Sequence, residues 1–248
     1  MSVPALRLQA VTKDFGGLRA VSEVSLQVAP GERRVIIGPN GAGKTSLFHC
    51  ISGVLTPSSG VIECFGEDIT YLPEPDRTQK GVGRTFQISS VFADLTVLEN
   101  VALAILGVRT TKWGLWRSVG GMRDVREQAE EQLNLVGLPG KCDVMVKSLS
   151  YGERRQLELV LALVNSPRLL LLDEPCAGLS PAERQRLFGI IQNLPRSITM
   201  LMIEHDMDIA LRLADRVTVL HRGAMILEGS AQEVRMNPQV REVYFGQV

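Results

Sequence analysis

The stretch GPNGAGKT, residues 38–45, decides the fold class of this chain. It matches the pattern G-x-x-x-x-G-K-[ST] and lies between residues 33–37, which predict a strand, and residues 44–52, which predict a helix. In a turn that glycine permits, successive backbone N–H groups can surround phosphate oxygens, and the start of a helix adds the positive end of its dipole. The stretch therefore predicts a phosphate-binding loop in an α/β core.

Two side chains at the end of this loop have a specific chemistry. Lys44 carries a mobile positive charge that can reach the β- and γ-phosphates of a nucleotide, and Thr45 has a hydroxyl that can ligate Mg²⁺. The nucleotide-binding residues predicted for this stretch are Gly38, Pro39, Asn40, Gly41, Ala42, Gly43, Lys44, Thr45 and Ser46.

A second motif, LLLLDEP at residues 169–175, provides the other half of the predicted site. The four leucines predict a buried strand, and Asp173 and Glu174 emerge at its carboxyl end, where ligands bind in open parallel sheets. Asp173 suits the Mg²⁺ shell, and Glu174 suits the role of general base for the attacking water. Adjacent side chains on a strand point to opposite faces, so the two carboxylates cannot do the same job unless the chain turns there.

The rest of the chain changes character twice along its length. The amino-terminal quarter alternates apolar and polar residues and predicts strands, the middle is helical, and short apolar strands alternate with helices beyond residue 167. This alternation predicts a parallel sheet covered on both faces. We expect an α/β fold, namely a P-loop NTPase core with an amino-terminal antiparallel β subdomain and an inserted helical subdomain. The expected domain covers residues 1–248, with the core at about 1–87 and 166–248 and the helical insertion at about 88–165.

Composition excludes several other classes of protein. The 27 basic and 27 acidic residues balance, which argues against a protein that coats nucleic acid by charge alone. No apolar run approaches the roughly 20 residues of a membrane-spanning helix, and the start lacks the apolar segment of a signal peptide. The 4 cysteines show no C-x-x-C spacing, so we expect neither a zinc site nor disulfides. We therefore expect a cytoplasmic protein whose membrane role comes through partners.

A third motif, LSYGERRQLEL at residues 149–159, lies between the first two, and with it the chain resembles the ATP-binding cassette family. The resemblance implies that Ser150 and Gly152 contact the γ-phosphate of an ATP held by the phosphate loop of a second subunit. A small hydroxyl and an unhindered N–H at a helix start can form such an anion site. Tyr151 and Glu153 stand where the family usually has glycine and glutamine. A capped helix start with no ligand is the alternative.

Three further residues are assigned by the same resemblance. Gln87, after GVGRTF, resembles the Q-loop glutamine that links the Mg²⁺ and water site to the helical insertion. His205, in IEHDM, resembles the switch histidine that contacts the γ-phosphate, and a purely structural histidine is the alternative. Phe15 resembles the aromatic residue that stacks on adenine, with a core phenylalanine as the alternative.

The stretch AGLS, residues 177–180, corresponds to the family's D-loop, which usually ends in aspartate. Here Ser180, Pro181 and Glu183 predict an N-cap, a first-turn proline and a capping box for the next helix. The capping role follows from the residues themselves, whereas a D-loop role for Ser180 does not.

The predicted loop at residues 107–123 holds both tryptophans of the chain, Trp113 and Trp116, with four basic residues and no acidic one. Exposed aromatic rings beside positive charge would suit contact with lipid headgroups or a partner. Packing of both rings on neighbouring helices is the alternative.

The resemblance narrows to the ATPase subunits of branched-chain (hydrophobic) amino acid importers. It rests on GVGRTFQ followed by LTVLEN, the long loop before Arg123, FGG at residues 15–17 and the ending NPQVREVYFG. It implies ATP and Mg²⁺ as cofactors and a place on the inner face of the cell membrane. The implied partners are a second ATPase subunit, identical or different, transmembrane permease subunits bound to the helical insertion, and a solute-binding protein, with no nucleic acid.

Several other functions stay open beside this one. Related systems handle urea and short amides or export lipopolysaccharide. Cassette ATPases that act on nucleic acid or in translation generally carry two cassettes, a coiled-coil insertion or basic tails, none of which this sequence has. A module that holds ATP without hydrolysing it would have lost the base or the switch residue, but Glu174 and His205 are both present.

Overall fold

The computed structural model describes residues 3–85, 91–108 and 119–245, with only the backbone of 106–108, 119–122 and 245. Gln87, Trp113 and Trp116 therefore lie outside the described residues. The strands are β1 (Leu6–Phe15), β2 (Leu18–Val28), β3 (Arg33–Ile37), β4 (Ser59–Cys64), β5 (Glu67–Asp68), β6 (Val82–Arg84), β7 (Leu169–Asp173), β8 (Thr199–Ile203), β9 (Arg216–His221) and β10 (Ala224–Gly229). The helices are α1 (Lys44–Ser52), α2 (Glu74–Gln79), α3 (Val97–Val108), α4 (Val119–Leu135), α5 (Tyr151–Leu163), α6 (Pro181–Gln192), α7 (Met207–Leu213), α8 (Ala231–Met236) and α9 (Pro238–Phe245).

The strands form two sheets. A four-stranded antiparallel sheet has the order β2-β1-β4-β5, and a six-stranded sheet has the order β10-β9-β3-β8-β7-β6. In the second sheet β3 runs parallel to β8 and β9, β7 runs parallel to β8, and β10 is an antiparallel edge strand. Every residue of β3, β7 and β8 is buried, as a sheet covered on both faces requires. The predicted α/β fold is confirmed.

The chain forms two compact units. The core unit comprises Met1–Val82, Arg168–Glu174 and Pro195–Val248, and the helical unit comprises Gly83–Pro167 and Pro175–Leu194. The helical unit thus includes α6, which the sequence boundaries assigned to the core. The domain boundaries drawn from the sequence stay a prediction.

Helix α1 joins the antiparallel sheet to the central strands within the core unit. Its Leu47, Phe48 and Ile51 are fully buried and belong to one apolar cluster with β1, β2 and β3. Burial of each such side chain contributes roughly 1.5–3 kcal/mol to folding. The helix that begins at the phosphate loop is therefore anchored by its apolar face.

The predicted loop at residues 107–123 is wrong at both ends. α3 continues to Val108, and α4 begins at Val119, so both ends of the predicted loop are helical. The pair Gly120 and Gly121 suggested a turn, but each glycine costs a helix only about 1 kcal/mol relative to alanine, which tertiary context can override.

Within the described residues no helix is both long and apolar enough to span a bilayer.

Candidate functional site

The phosphate loop connects the end of β3 to the first residue of α1. Gly43 is the N-cap of α1 with φ +94°, and a Cβ there would lie 2.2 Å from the Ala20 carbonyl oxygen, so only glycine fits. Glycine has no side chain that could cap the helix, which leaves the first N–H groups of α1 for another acceptor. An open, positively polarised helix start fits a phosphate.

Lys44 lies inside the curve of this loop. It is 5% exposed, and its Nζ donates hydrogen bonds to the carbonyl oxygens of Gly38 at 2.7 Å and Pro39 at 3.0 Å. Burial lowers the pKa of Lys44, and the nearby carboxylates of Glu174 and Asp173 oppose that shift. The two motifs that the sequence predicted to form one site therefore interact electrostatically.

The chain does turn between the two carboxylates. β7 ends at Asp173, which is buried, and Glu174 takes a left-handed conformation with φ +48°. The Glu174 N–H donates to the Ile203 carbonyl at 3.0 Å, which holds the turn against β8. A non-glycine residue in this region costs about 1–3 kcal/mol and is often found at functional sites. Because the chain turns here, the side chains of Asp173 and Glu174 do not have to point to opposite faces of the sheet. The turn is the condition under which the sequence analysis allowed the two carboxylates to share a role.

The Glu174 carboxylate contacts His205. Its Oε1 lies 2.5 Å from His205 Nε2, and Asp173 pairs in register with Ile203, two residues before His205. Because the carboxyl ends of parallel strands meet at one edge of a sheet, residues far apart in sequence are brought together here. A carboxylate and an imidazole in contact can accept, hold and orient a proton.

Phe15 ends β1 and does not occupy a core position. Its side chain is 45% exposed, and the Lys13 Nζ lies 5.1 Å from the ring centroid. The core alternative is therefore wrong, and the exposed ring is available for stacking.

The helical unit holds the third motif, and Ser150 is the N-cap of α5. Its Oγ accepts from the Glu153 N–H at 3.2 Å, while the Glu153 carboxylate accepts from the Ser150 N–H at 2.9 Å. The Tyr151 hydroxyl accepts from Arg155 at 2.8 Å and donates to the Ala177 carbonyl at 3.3 Å. Glu153 thus completes a capping box, and the Tyr151 hydroxyl links α5 to the AGLS loop.

The Glu183 carboxylate of the same unit lies against the start of α5. A Cβ on Gly152 would lie 2.5 Å from Glu183 Oε1. Ser180 is the N-cap of α6, with Pro181 in the first turn and a complete capping box with Glu183, so that prediction is confirmed. Side-chain and backbone hydrogen bonds from Ser180 lower the pKa of Glu183, which keeps it ionised.

Sequence reasoning missed two residues with buried polar groups beside the loop and its helix. The Tyr244 hydroxyl, on α9, is buried next to the backbone of Gly38, and burial raises its pKa to about 12. Arg77, on α2, is 1% exposed and binds the far end of α1. The ending NPQVREVYFG pointed to the first only through a resemblance, and no pattern pointed to the second.

Comparison with known proteins identifies the family. The sequence profile described as "ABC transporter" matches residues 21–177. This chain belongs to the ATP-binding cassette (ABC) transporter family. A second profile, "Branched-chain amino acid ATP-binding cassette transporter", matches residues 224–248 of this ABC protein. Its family and relatives bind and hydrolyse ATP, and it is an ATPase of that kind.

Individual relatives cover the whole chain. This ABC protein is 37% identical, over 100% of both chains, to the high-affinity branched-chain amino acid transport ATP-binding protein BraF of Pseudomonas aeruginosa. It is 38% identical, over 97% of its own length and 96% of the relative's, to the lipopolysaccharide export system ATP-binding protein LptB of Acidithiobacillus ferridurans. The crystal structure of the ADP conformation of MJ1267, an ATP-binding cassette of an ABC transporter, superposes with a TM-score of 0.86 at 32% identity over 100% of both chains.

Proposed function

We propose that this ABC ATPase powers an importer of branched-chain or other hydrophobic amino acids. The assignment of the cargo rests on the match of residues 224–248 to the branched-chain profile, together with full-length similarity to BraF. Similarity to LptB supports lipopolysaccharide export as a second candidate. Urea and short amides are the remaining alternative cargoes.

The phosphate loop is the proposed site of the ATP phosphates. The backbone of residues 38–46 would surround them, with Lys44 leaving its two carbonyl partners to bind the β- and γ-oxygens. Phe15 would stack on adenine. Most of the rate enhancement would come from positioning and from fixed positive charge around the transferred phosphoryl group.

Glu174 is the proposed general base. It would accept the proton of the attacking water, and His205, in contact with Glu174 Oε1, would orient that carboxylate and the γ-phosphate. Ser150 and Gly152 of a second subunit would complete the site through the start of its α5, where the Glu183 carboxylate lies beside Gly152.

The donor set fits Mg²⁺, which binds oxygen ligands and usually shares its shell with phosphates and water. The Thr45 hydroxyl and the Asp173 carboxylate would hold it, with Gln87 as a further ligand. When bound, the ion would neutralise charge on the β- and γ-oxygens.

Permease subunits are the proposed partners of the helical unit. That unit has a groove of about 240 Å³, lined by Phe92, Leu103 and Leu161 beside Arg84 and Glu158. Phe92 is 58% exposed and Leu103 41% exposed, an apolar surface that a partner helix would cover. A permease bound there would hold the protein peripherally on the inner face of the cell membrane, with a solute-binding protein delivering the cargo.

The cargo is tested by reconstitution with any permeases and solute-binding protein whose genes lie beside this one. Leucine, delivered by the solute-binding protein, should stimulate ATP hydrolysis in proteoliposomes severalfold over the same vesicles without amino acid. Stimulation by urea or acetamide but not by leucine would instead identify the protein as the ATPase of a transporter for urea or short amides. Neighbouring genes for a lipopolysaccharide exporter, with no effect of leucine, would contradict the proposal.

A further inference from the structure

Arg77 is a buried cation at the end of the helix that the phosphate loop begins. Its side chain is 1% exposed, and its guanidinium donates to four backbone carbonyls of the core unit. Nη1 donates to Cys50 and Ile51, both at 2.7 Å, Nε to Leu72 at 2.7 Å and Nη2 to Thr70 at 2.9 Å. In the described part of the chain these carbonyls are its hydrogen-bond partners, and no carboxylate pairs with it.

Two of these carbonyls belong to the last turn of α1, where a helix leaves its carbonyls without partners. The His49 carbonyl is satisfied by the N–H groups of Gly53 and Leu55 at 3.1 Å and 3.0 Å. The next two carbonyls, of Cys50 and Ile51, are buried and accept from Arg77. A cation also stabilises the negative end of the helix dipole.

The fit at this end of α1 is tight. A Cβ on Gly53 would lie 2.8 Å from Arg77 Nε, so the residue that ends the helix must be glycine for the guanidinium to approach. The carbonyls of Leu72 and Thr70 fix the other side of the guanidinium to the chain after β5. Arg77 thus joins two backbone segments with one planar group, which lysine cannot reproduce.

We propose that Arg77 is a positioning residue for nucleotide binding, which holds the carboxyl end of α1 so that the amino end meets the phosphates in a fixed orientation. α1 is a single helix of 9 residues, with Lys44 and Thr45 in its first turn. If the carboxyl end of α1 were not held, the helix would have to become ordered when the nucleotide binds. The free-energy cost of that ordering would lower the affinity for the nucleotide. This role goes beyond the proposed cargo and does not depend on it.

A purely structural role is the competing explanation, because loss of a buried arginine that makes four hydrogen bonds also destabilises the fold. Burial lowers the pKa of Arg77, with Cys50, Cys64 and Asp68 nearby opposing the shift. The two explanations differ in what the folded variant does. A positioning role lowers nucleotide affinity in protein that is still folded, whereas a structural role lowers stability alone.

The test compares Arg77→Lys and Arg77→Met with Val234→Ala, a destabilising change in fully buried Val234 of α8. All three should lower the Tm. Well below each Tm, the Arg77 variants should bind a fluorescent ATP analogue about three- to tenfold more weakly, while Val234→Ala binds normally. Dissociation constants within twofold of the parent for both Arg77 variants would overturn the proposal.

Hydrogen exchange gives a second readout if Arg77→Met fails to fold. In Arg77→Lys without nucleotide, the amides of residues 44–52 should exchange faster than in the parent, while those of residues 199–203 should not change. Saturating ATP should restore protection in residues 44–52. Equal protection of α1 in the parent and in Arg77→Lys would contradict the role.

Discussion

At the scale of single residues, the backbone of Glu174 determines what the site can do. With φ +48° the chain leaves the strand alternation, and the carboxylate reaches His205 Nε2 at 2.5 Å. The sequence identified Asp173 and Glu174 by their place after four leucines, but no residue pattern predicts a left-handed glutamate. Strain of this kind is imposed by tertiary contacts, here the hydrogen bond that the Glu174 N–H donates to the Ile203 carbonyl.

Lys44→Ala should abolish measurable nucleotide binding and leave the fold intact. The apolar face of α1 anchors the helix, and Lys44 contributes charge rather than packing. Equilibrium binding of a fluorescent ATP analogue is the measurement, with circular dichroism as the check on folding. Lys147→Ala, which removes an exposed lysine paired with Asp94, is the matched control and should bind normally. Near-normal affinity in Lys44→Ala would mean that the phosphate site is misplaced.

At the scale of elements, the cap signals located helix starts well. α1 begins at Lys44, at the end of the predicted phosphate loop, and α6 at Pro181, after the predicted Ser180 cap, because both motifs act locally. Short elements were missed: α2 has only 6 residues, and the edge strand β10 lacks a regular alternation. Such segments are fixed by pairing with distant parts of the chain, β10 with β9 for example, which a local pattern does not encode.

Ser180→Ala should destabilise the helical unit by about 1 kcal/mol, the usual cost of a lost N-cap. The Ser180 Oγ donates to Glu183 Oε2 at 2.6 Å and accepts from the Glu183 N–H at 3.4 Å, so alanine removes both bonds. Urea unfolding gives the measurement, and Ser180→Thr, which keeps the hydroxyl, should recover most of the loss. An unchanged midpoint in Ser180→Ala would show that the cap contributes nothing.

At the scale of the whole molecule, the fold brings together residues that are distant in sequence. Lys44, Glu174 and His205 follow the parallel strands β3, β7 and β8 of one sheet. Their convergence agrees with the predicted parallel sheet, in which ligands bind at the carboxyl ends of the strands. Ser150 and Gly152 lie in the helical unit instead. The capping box that Glu153 completes and the contact of Tyr151 with Ala177 needed three-dimensional structure, because each joins groups that the motif alone does not relate.

The proposed mechanism requires that Glu174 remove a proton and that ATP join two copies of the site. Glu174→Gln keeps the size and hydrogen-bonding capacity of the side chain but cannot act as a base. Loss of a general base costs roughly 10²- to 10⁴-fold in rate. ATP binding should survive, because the phosphate loop is untouched, and Ser150 and Gly152 should then stay engaged across the interface.

Phosphate release measured beside size-exclusion chromatography, with ATP and Mg²⁺ and with any partner ATPase present, is the most direct test of this account. Glu174→Gln should hydrolyse ATP at least about 100-fold more slowly and accumulate an ATP-dependent dimer. Glu67→Gln, which changes an exposed glutamate of the core unit, should behave like the parent. Hydrolysis by Glu174→Gln at the parent rate would contradict the assignment of the base, and slow hydrolysis without a dimer would contradict the role of the α5 start.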